Sequence, residues 1–240
     1  MIADPLLQAY PKLNEAQKEI IRHTDGPLLV IAGPGSGKTF SLVLRALNLL
    51  LLGKVQPREL ILCTFTEKAA FELRDRISAA AARVKYKGDL SELRASTIHG
   101  LCNRLLSTHR HRTPLGNNYE TLDDLTQLLF IFDHFKQIVG EPLATGFFGK
   151  WKTKWTAIEG ARDFFNKITE ELVDPLALEE SHDEFLRLIG KAYQSYRKLL
   201  FDKNHIDFAH LQKLMYDLLQ DDEIARAIKA GIKHVMVDEY

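Results

Sequence analysis

Cysteine is scarce in this sequence. Cys63 and Cys102 are the only two among 240 residues, and neither belongs to a CxxC pair. That excludes a CxxC redox or metal motif, and the two thiols read as reduced packing residues in a reducing compartment. Net charge is lacking as well, because 32 Lys and Arg balance 32 Asp and Glu. The total therefore excludes a uniformly basic nucleic-acid binder, although a local basic patch stays open. No apolar run is long enough to span a bilayer, and the longest, 42–52, is interrupted by Arg45 and Asn48. The opening MIADPLLQAYPKLNEAQ has neither the basic start nor the apolar centre of a signal peptide. Repeats and low-complexity tracts are missing too. These absences predict a soluble cytoplasmic protein with no membrane partner. With 45% hydrophobic and 27% charged residues, the chain suffices for one large domain or two modest ones.

What is present alternates. Asn14-Glu-Ala-Gln17 is a helix start, with a cap residue and a glutamine at the third helical position. The helix should end near His23, ahead of Asp25-Gly26-Pro27. Residues 28–32 (LLVIA) form a continuous apolar run, as a buried parallel strand would. A glycine-rich loop follows, then a helix over 38–52 stopped by Gly53, a second buried strand over 60–65 and an alanine-rich helix over 67–84. A short strand over 94–97 and a helix over 98–106 complete the alternation. Strand and helix in turn predict an α/β fold, a parallel sheet with helices on both faces. From 107 to 226 the character changes to amphipathic helices, at 122–139, 164–172, 183–201 and 208–219, with almost no strand signal. Residues 234–237 read as a strand again. The expected organisation is an α/β domain over 1–106 and 227–240, interrupted by a helical insertion over 107–226.

The loop carries the chemistry. It runs Ala32-Gly33-Pro34-Gly35-Ser36-Gly37-Lys38-Thr39. Glycines let backbone N–H groups close on a polyanion, and the following helix presents its positive end. Lys38 would reach the β- and γ-phosphates of ATP, and the Thr39 hydroxyl would sit on Mg²⁺. The strict P-loop pattern has glycine at the first position, where this chain has Ala32. Such a loop needs a carboxylate at a neighbouring strand end, and Val235-Met-Val-Asp238-Glu239 supplies one. Asp238 would hold Mg²⁺, and Glu239 would orient and deprotonate the attacking water. The competing reading of the two acids is a strand that simply ends in solvated charge.

Several segments, taken in order, resemble one family. TDGPLLVIAGPGSGKT, ILCTFTEKAA, STIHGLC and HVMVDEY look like the first motifs of UvrD/PcrA/Rep-type superfamily 1 DNA helicases, and LNEAQKEIIRH looks like that family's glutamine motif. The resemblance implies a RecA-like fold and an ATP-dependent helicase that moves 3′ to 5′ on single-stranded or partially duplex DNA. It implies that Gln17 reads the adenine edge, since an amide both donates and accepts; a plain capping role is the alternative. It implies DNA contacts by Phe65 and Thr66 past the second strand and by Thr97 and His99 in the next motif. An aromatic at Phe65 would stack on any base, unless it is core. The inserted helices correspond to an accessory subdomain over the DNA. There Lys150-Trp-Lys-Thr-Lys154-Trp155 and His109-Arg110-His111-Arg112 are candidate DNA-touching clusters, or solvated charged faces.

Three positions depart from the family's habit. Phe40 stands where arginine is common, Glu67 where asparagine is common, and Ile98 where an aromatic is usual. The sequence stops at Tyr240, where the family's acidic motif continues. The expectation is therefore an N-terminal fragment whose second RecA-like domain, in cis, supplies the arginine fingers, and which unwinds nothing alone. Two rival readings stay open: a P-loop ATPase that is not a helicase, and a degenerate, non-catalytic interaction module.

Overall fold

The computed structural model describes residues 1–140 and 153–239. Its central strand, β1 (Leu60–Thr64), is buried at every position, as an unbroken LILCT run requires. β2 (Arg94–Thr97) and β5 (His234–Val237) flank it, both parallel to it, in the order β2-β1-β5. The helices around this sheet are α1 (Asp4–Ala9), α2 (Glu15–Arg22), α3 (Lys38–Leu51), α4 (Glu67–Arg83), the first part of α5 (Ile98–Thr108), and α12 (Asp222–Ala230). The chain divides into two compact units, Met1–Leu101 with Asp222–Tyr240, and Cys102–Asp221. The fold class is thus α/β, a parallel sheet with flanking helices.

In the first unit, α4 buries Ala70, Leu73, Ile77, Ala80 and Ala81, a stripe at three-to-four-residue spacing. It meets Leu44, Leu47, Leu60 and Leu62 in one core cluster. Asn48 sits fully buried in that apolar helix α3. Its Oδ1 accepts from the Ala3 N–H at 2.8 Å, and its Nδ2 donates to the carbonyls of Met1 and Ile21, both at 3.0 Å. The Arg45 Nε donates to the His23 carbonyl at 2.8 Å. The two residues that interrupt the apolar run of α3 therefore fasten the N-terminal segment and the end of α2 to it.

The second unit is helical around one two-stranded parallel sheet, β3 (Glu120–Leu122) against β4 (His205–Asp207). Its helices are α6 (Asp124–Asp133), α7 (Phe135–Val139), α8 (Lys154–Glu170), α9 (Pro175–Glu179), α10 (Glu184–Asp202) and α11 (Phe208–Leu218). Phe130, Ile131, Phe135, Phe165, Tyr196 and Leu200 form its core. At its centre the Asp207 carboxylate, 1% exposed, accepts from the Tyr196 hydroxyl at 2.5 Å, the Gln127 Nε2 at 3.2 Å and the His210 backbone N–H at 2.7 Å. The His210 Nδ1 lies 2.9 Å from both carboxylate oxygens.

Several sequence expectations need correction. Residues 28–32 form no strand, and Leu29 and Ile31 are 72% and 90% exposed. An apolar run becomes a strand only where a neighbour completes its ladder, and no described strand pairs with this one. The helix expected over 122–139 breaks into α6 and α7 at His134, whose Nδ1 lies 2.9 Å from the Phe130 carbonyl. The helix expected at 164 begins ten residues earlier, at Lys154, capped by Thr153. β3 and β4 were invisible in the sequence because three residues carry no readable alternation. α1 and α12 also escaped it. Among the described residues no helix is long and apolar enough to cross a membrane.

Candidate functional site

The glycine loop enters α3 through two residues in the left-handed region, Gly35 at φ +74° and Gly37 at φ +86°. Any L side chain there would be strained, so these two glycines answer a backbone requirement. α3 starts at Lys38, so its first-turn N–H groups face the loop end of the helix. The Lys38 ammonium folds back on the loop, donating to the carbonyls of Ala32 at 2.8 Å and Gly33 at 3.2 Å. The Ser36 hydroxyl also donates to the Gly33 carbonyl, at 2.7 Å. Pro34 lies in this exposed arch between Gly33 and Gly35.

The acidic strand end comes to the same place. The Thr39 hydroxyl donates to Asp238 Oδ2 at 2.7 Å. β5 is held there by its ladder to β1, extended one step by the Asp238 N–H to the Cys63 carbonyl at 2.8 Å. Burial in that ladder pushes the Cys63 thiol up, so it stays protonated. Glu239 follows with φ +60°, an uncommon setting for a residue with a Cβ. It is exposed beside Asp238. A hydroxyl and a carboxylate in contact are hard oxygen donors, the kind a small divalent cation such as Mg²⁺ takes while keeping several waters. Among the described residues no group of three or more His, Cys, Asp or Glu gathers elsewhere to hold a metal.

Gln17 serves as a cap and remains a donor. Its Oε1 accepts from the Asn14 N–H at 3.2 Å, while Asn14 Oδ1 accepts from the Gln17 N–H at 2.8 Å. That reciprocal box leaves Nε2 over the loop, 3.1 Å from where a Cβ on Gly37 would sit. Phe40, one residue past Thr39, is exposed and meets Tyr10 edge to face at 5.6 Å between ring centres. The Arg83 guanidinium lies 4.7 Å from the centre of the Tyr10 ring.

The residues past β1 and β2 divide into exposed and buried. Phe65 is 79% exposed, which removes the core reading. Thr66 caps α4, its Oγ1 accepting from the Ala69 N–H at 3.1 Å. Thr97 is only 7% exposed. Its hydroxyl donates to Glu67 Oε1 at 2.9 Å and accepts from the Gly100 N–H at 3.0 Å. His99 is half-buried in the first turn of α5. Thus Glu67, one of the departures noted above, has a partner of its own in Thr97. In the second unit, Lys154 Nζ lies 4.1 Å from the Phe132 ring centre, and Trp155 lies 6.2 Å from the same ring. The rest of that cluster, 150–152, lies outside the described residues. The fastening role of Asn48 has no sequence signal beyond an amide in the middle of an apolar helix.

A family model for the UvrD/REP helicase N-terminal domain matches residues 13–240. The chain belongs to this helicase family. It is 30% identical over 247 residues to the ATP-dependent DNA helicase UvrD1 of Mycobacterium tuberculosis, covering 99% of this chain and 29% of that protein. UvrD1 of Mycobacterium bovis gives the same figures. The ATP-dependent DNA helicase PcrA of Staphylococcus aureus is 29% identical over 231 residues, 95% of this chain and 29% of PcrA. The chain thus spans under a third of these helicases' length. The UvrD/REP match includes both the loop and the acidic strand end that meet at Thr39 and Asp238.

Proposed function

We propose that these residues are the ATP-binding part of an ATP-dependent DNA helicase that translocates 3′ to 5′ and binds single-stranded or partially duplex DNA. The observation that carries the reading is the 2.7 Å contact between Thr39 and Asp238 at the mouth of the glycine loop. It joins the two halves of a phosphate and cation site in a chain of a helicase family.

In this reading the triphosphate lies against the loop N–H groups of 33–39 and the start of α3. Lys38 leaves the Ala32 and Gly33 carbonyls for the β- and γ-phosphates, exchanging neutral acceptors for anionic ones. Thr39 and Asp238 would hold Mg²⁺, which would neutralise charge on the phosphate oxygens. Glu239 orients the attacking water and takes its proton. Gln17 donates from Nε2 to the base while its Oε1 stays on Asn14. Phe65 stacks on a base of the DNA strand, with Thr66 and His99 beside the backbone. The Thr97 hydroxyl, bonded to Glu67 and to the Gly100 N–H, fixes the first turn of α5, which carries His99.

The first unit is the RecA-like ATP-binding domain and the second the accessory subdomain. The arginines that complete catalysis belong to a second RecA-like domain in cis. Unwinding is not expected of a chain that spans 29% of its helicase relatives. The cell compartment assigned is the cytoplasm.

Titration with a fluorescent ATP analogue and with labelled single-stranded DNA tests this reading. Nucleotide affinity should vanish in Lys38→Ala, and DNA affinity should fall as salt rises. Nucleotide binding that survives Lys38→Ala points to an inert remnant of the fold. Nucleotide binding without any DNA binding at low salt points to a P-loop ATPase of another kind.

A further inference from the structure

We infer that a polar pocket in the second unit, lined by Arg110, binds a phosphodiester group of the DNA backbone. This rests on the DNA-binding reading above but concerns a different part of the chain. The pocket has a volume of about 170 Å³ and is lined by Asn103, Ser107, Arg110, Gly116, Asn118 and Tyr119. That volume holds several waters, or one phosphate group in their place. Its lining has one cation and no carboxylate.

The walls are fixed by hydrogen bonds. The Tyr119 hydroxyl donates to Asn103 Oδ1 at 2.5 Å, and the Ser107 hydroxyl donates to the Asn103 carbonyl at 2.7 Å. The opposite wall is clamped by Asn204. Its Oδ1 accepts from the Gly116 N–H at 2.9 Å, and its Nδ2 donates to the Asn117 carbonyl at 2.9 Å. A Cβ on Gly116 would sit 2.9 Å from that Oδ1, so a larger residue would push the Asn204 amide off this bond. With Oδ1 taken by Tyr119, Asn103 offers its Nδ2 hydrogens as donors.

The charge also favours an anion. Arg112 is engaged by Asp221 at 2.7 Å. Among the described residues no carboxylate pairs with Arg110, which is exposed on the pocket rim. A guanidinium, an amide donor and no acid describe a monoanionic tetrahedral ligand, for which guanidinium geometry is well suited. A backbone phosphate and free inorganic phosphate share that chemistry. The backbone is favoured because the pocket is rimmed by exposed residues rather than closed around a small ion.

The test measures affinity for a labelled single-stranded oligonucleotide between about 50 and 200 mM salt. The slope of log K against log salt should lose roughly one phosphate contact's worth, about 0.7, in Arg110→Ala, and keep its value in Arg110→Lys. Asn103→Asp, which sets a carboxylate against the phosphate, should weaken binding at least as much. Phe65→Ala should weaken binding and leave the slope unchanged. Wild-type binding with an unaltered slope in Arg110→Ala overturns the pocket assignment. Perturbation of Arg110 by inorganic phosphate with no change in the DNA slope also overturns it, in favour of a small-anion site. No DNA binding by the wild type at low salt overturns the DNA reading itself, a result distinct from either. Melting temperatures of the variants, expected to match the wild type, separate these outcomes from misfolding.

Discussion

Thr39 Oγ1 and Asp238 Oδ2 are 2.7 Å apart although 199 residues separate them in the chain. One lies in the first turn of α3 and the other directly follows β5. Removing the carboxylate charge should act on the cation and spare the loop. Asp238→Asn should weaken Mg²⁺-dependent nucleotide binding by about 10- to 100-fold and leave the Mg²⁺-independent component near wild type. Paired titrations with and without a chelator read the difference. An equal loss in both would refute the assignment of Asp238 to the metal.

Asn48 satisfies three backbone groups from inside an apolar helix. Asn48→Ala should therefore cost about 2–4 kcal/mol in urea unfolding, more than the loss of one exposed hydrogen bond, because buried partners are left unpaired. It should also weaken nucleotide binding, since α2, whose first turn carries Gln17, loses one of its ties to α3. Gln17→Ala should weaken nucleotide binding with a far smaller effect on stability.

The family resemblance implies DNA contacts for both Phe65 and Thr97, and their surroundings differ, Phe65 being exposed and Thr97 buried. Phe65→Ala should lower single-stranded DNA affinity by about 1–3 kcal/mol without shifting the melting temperature. Thr97→Val should do the reverse, losing the bonds to Glu67 and Gly100 and about 1–2 kcal/mol of stability. A DNA defect in Thr97→Val as large as that of Phe65→Ala, at unchanged stability, would restore Thr97 as a direct contact.

The buried Asp207 makes the second unit pH-sensitive. Desolvation raises its carboxyl, but His210 and the hydrogen bonds from the His210 N–H and Tyr196 hold it below its ordinary value on balance. A depressed carboxyl stabilises the fold above the ordinary carboxylate range, and that contribution disappears as pH falls through the depressed value. Tyr196 is the mirror case. Desolvation and then the Asp207 charge push its hydroxyl well up, so its contribution is intact below the usual tyrosine range and is lost at higher pH. Melting curves against pH should fall at both extremes. Asp207→Asn should flatten the acid limb while costing about 3–5 kcal/mol near neutrality, because it breaks a buried pair. An acid limb as steep in Asp207→Asn as in the wild type would refute the attribution.

The sequence made some of these features legible and hid others for physical reasons. The Asn14–Gln17 box, β1, α4 and the loop were readable because each is specified by neighbours along the chain. Residues 28–32 misled because their composition matches a buried strand while their pairing depends on a neighbour distant in sequence. β3 and β4 hid for the same reason, being defined by each other across more than eighty residues. Among site residues, Lys38, Thr39 and Asp238 were named by chemistry that needs those atoms. The burial of Thr97 and the three backbone bonds of Asn48 depend on packing, which no local pattern encodes.

The first unit is assembled from both ends of the chain, with β5 laid beside β1 only after the whole of Cys102–Asp221 has intervened. During synthesis the glycine loop therefore leaves the ribosome roughly two hundred residues before the acid that faces it. A nascent chain can form α2 and α3 early, as chains fold N-terminal parts first. The Thr39–Asp238 contact is not made until β5 docks. On the reading proposed above, nucleotide and Mg²⁺ would stabilise only the state in which β5 has docked, which would couple ligand binding to that step of folding.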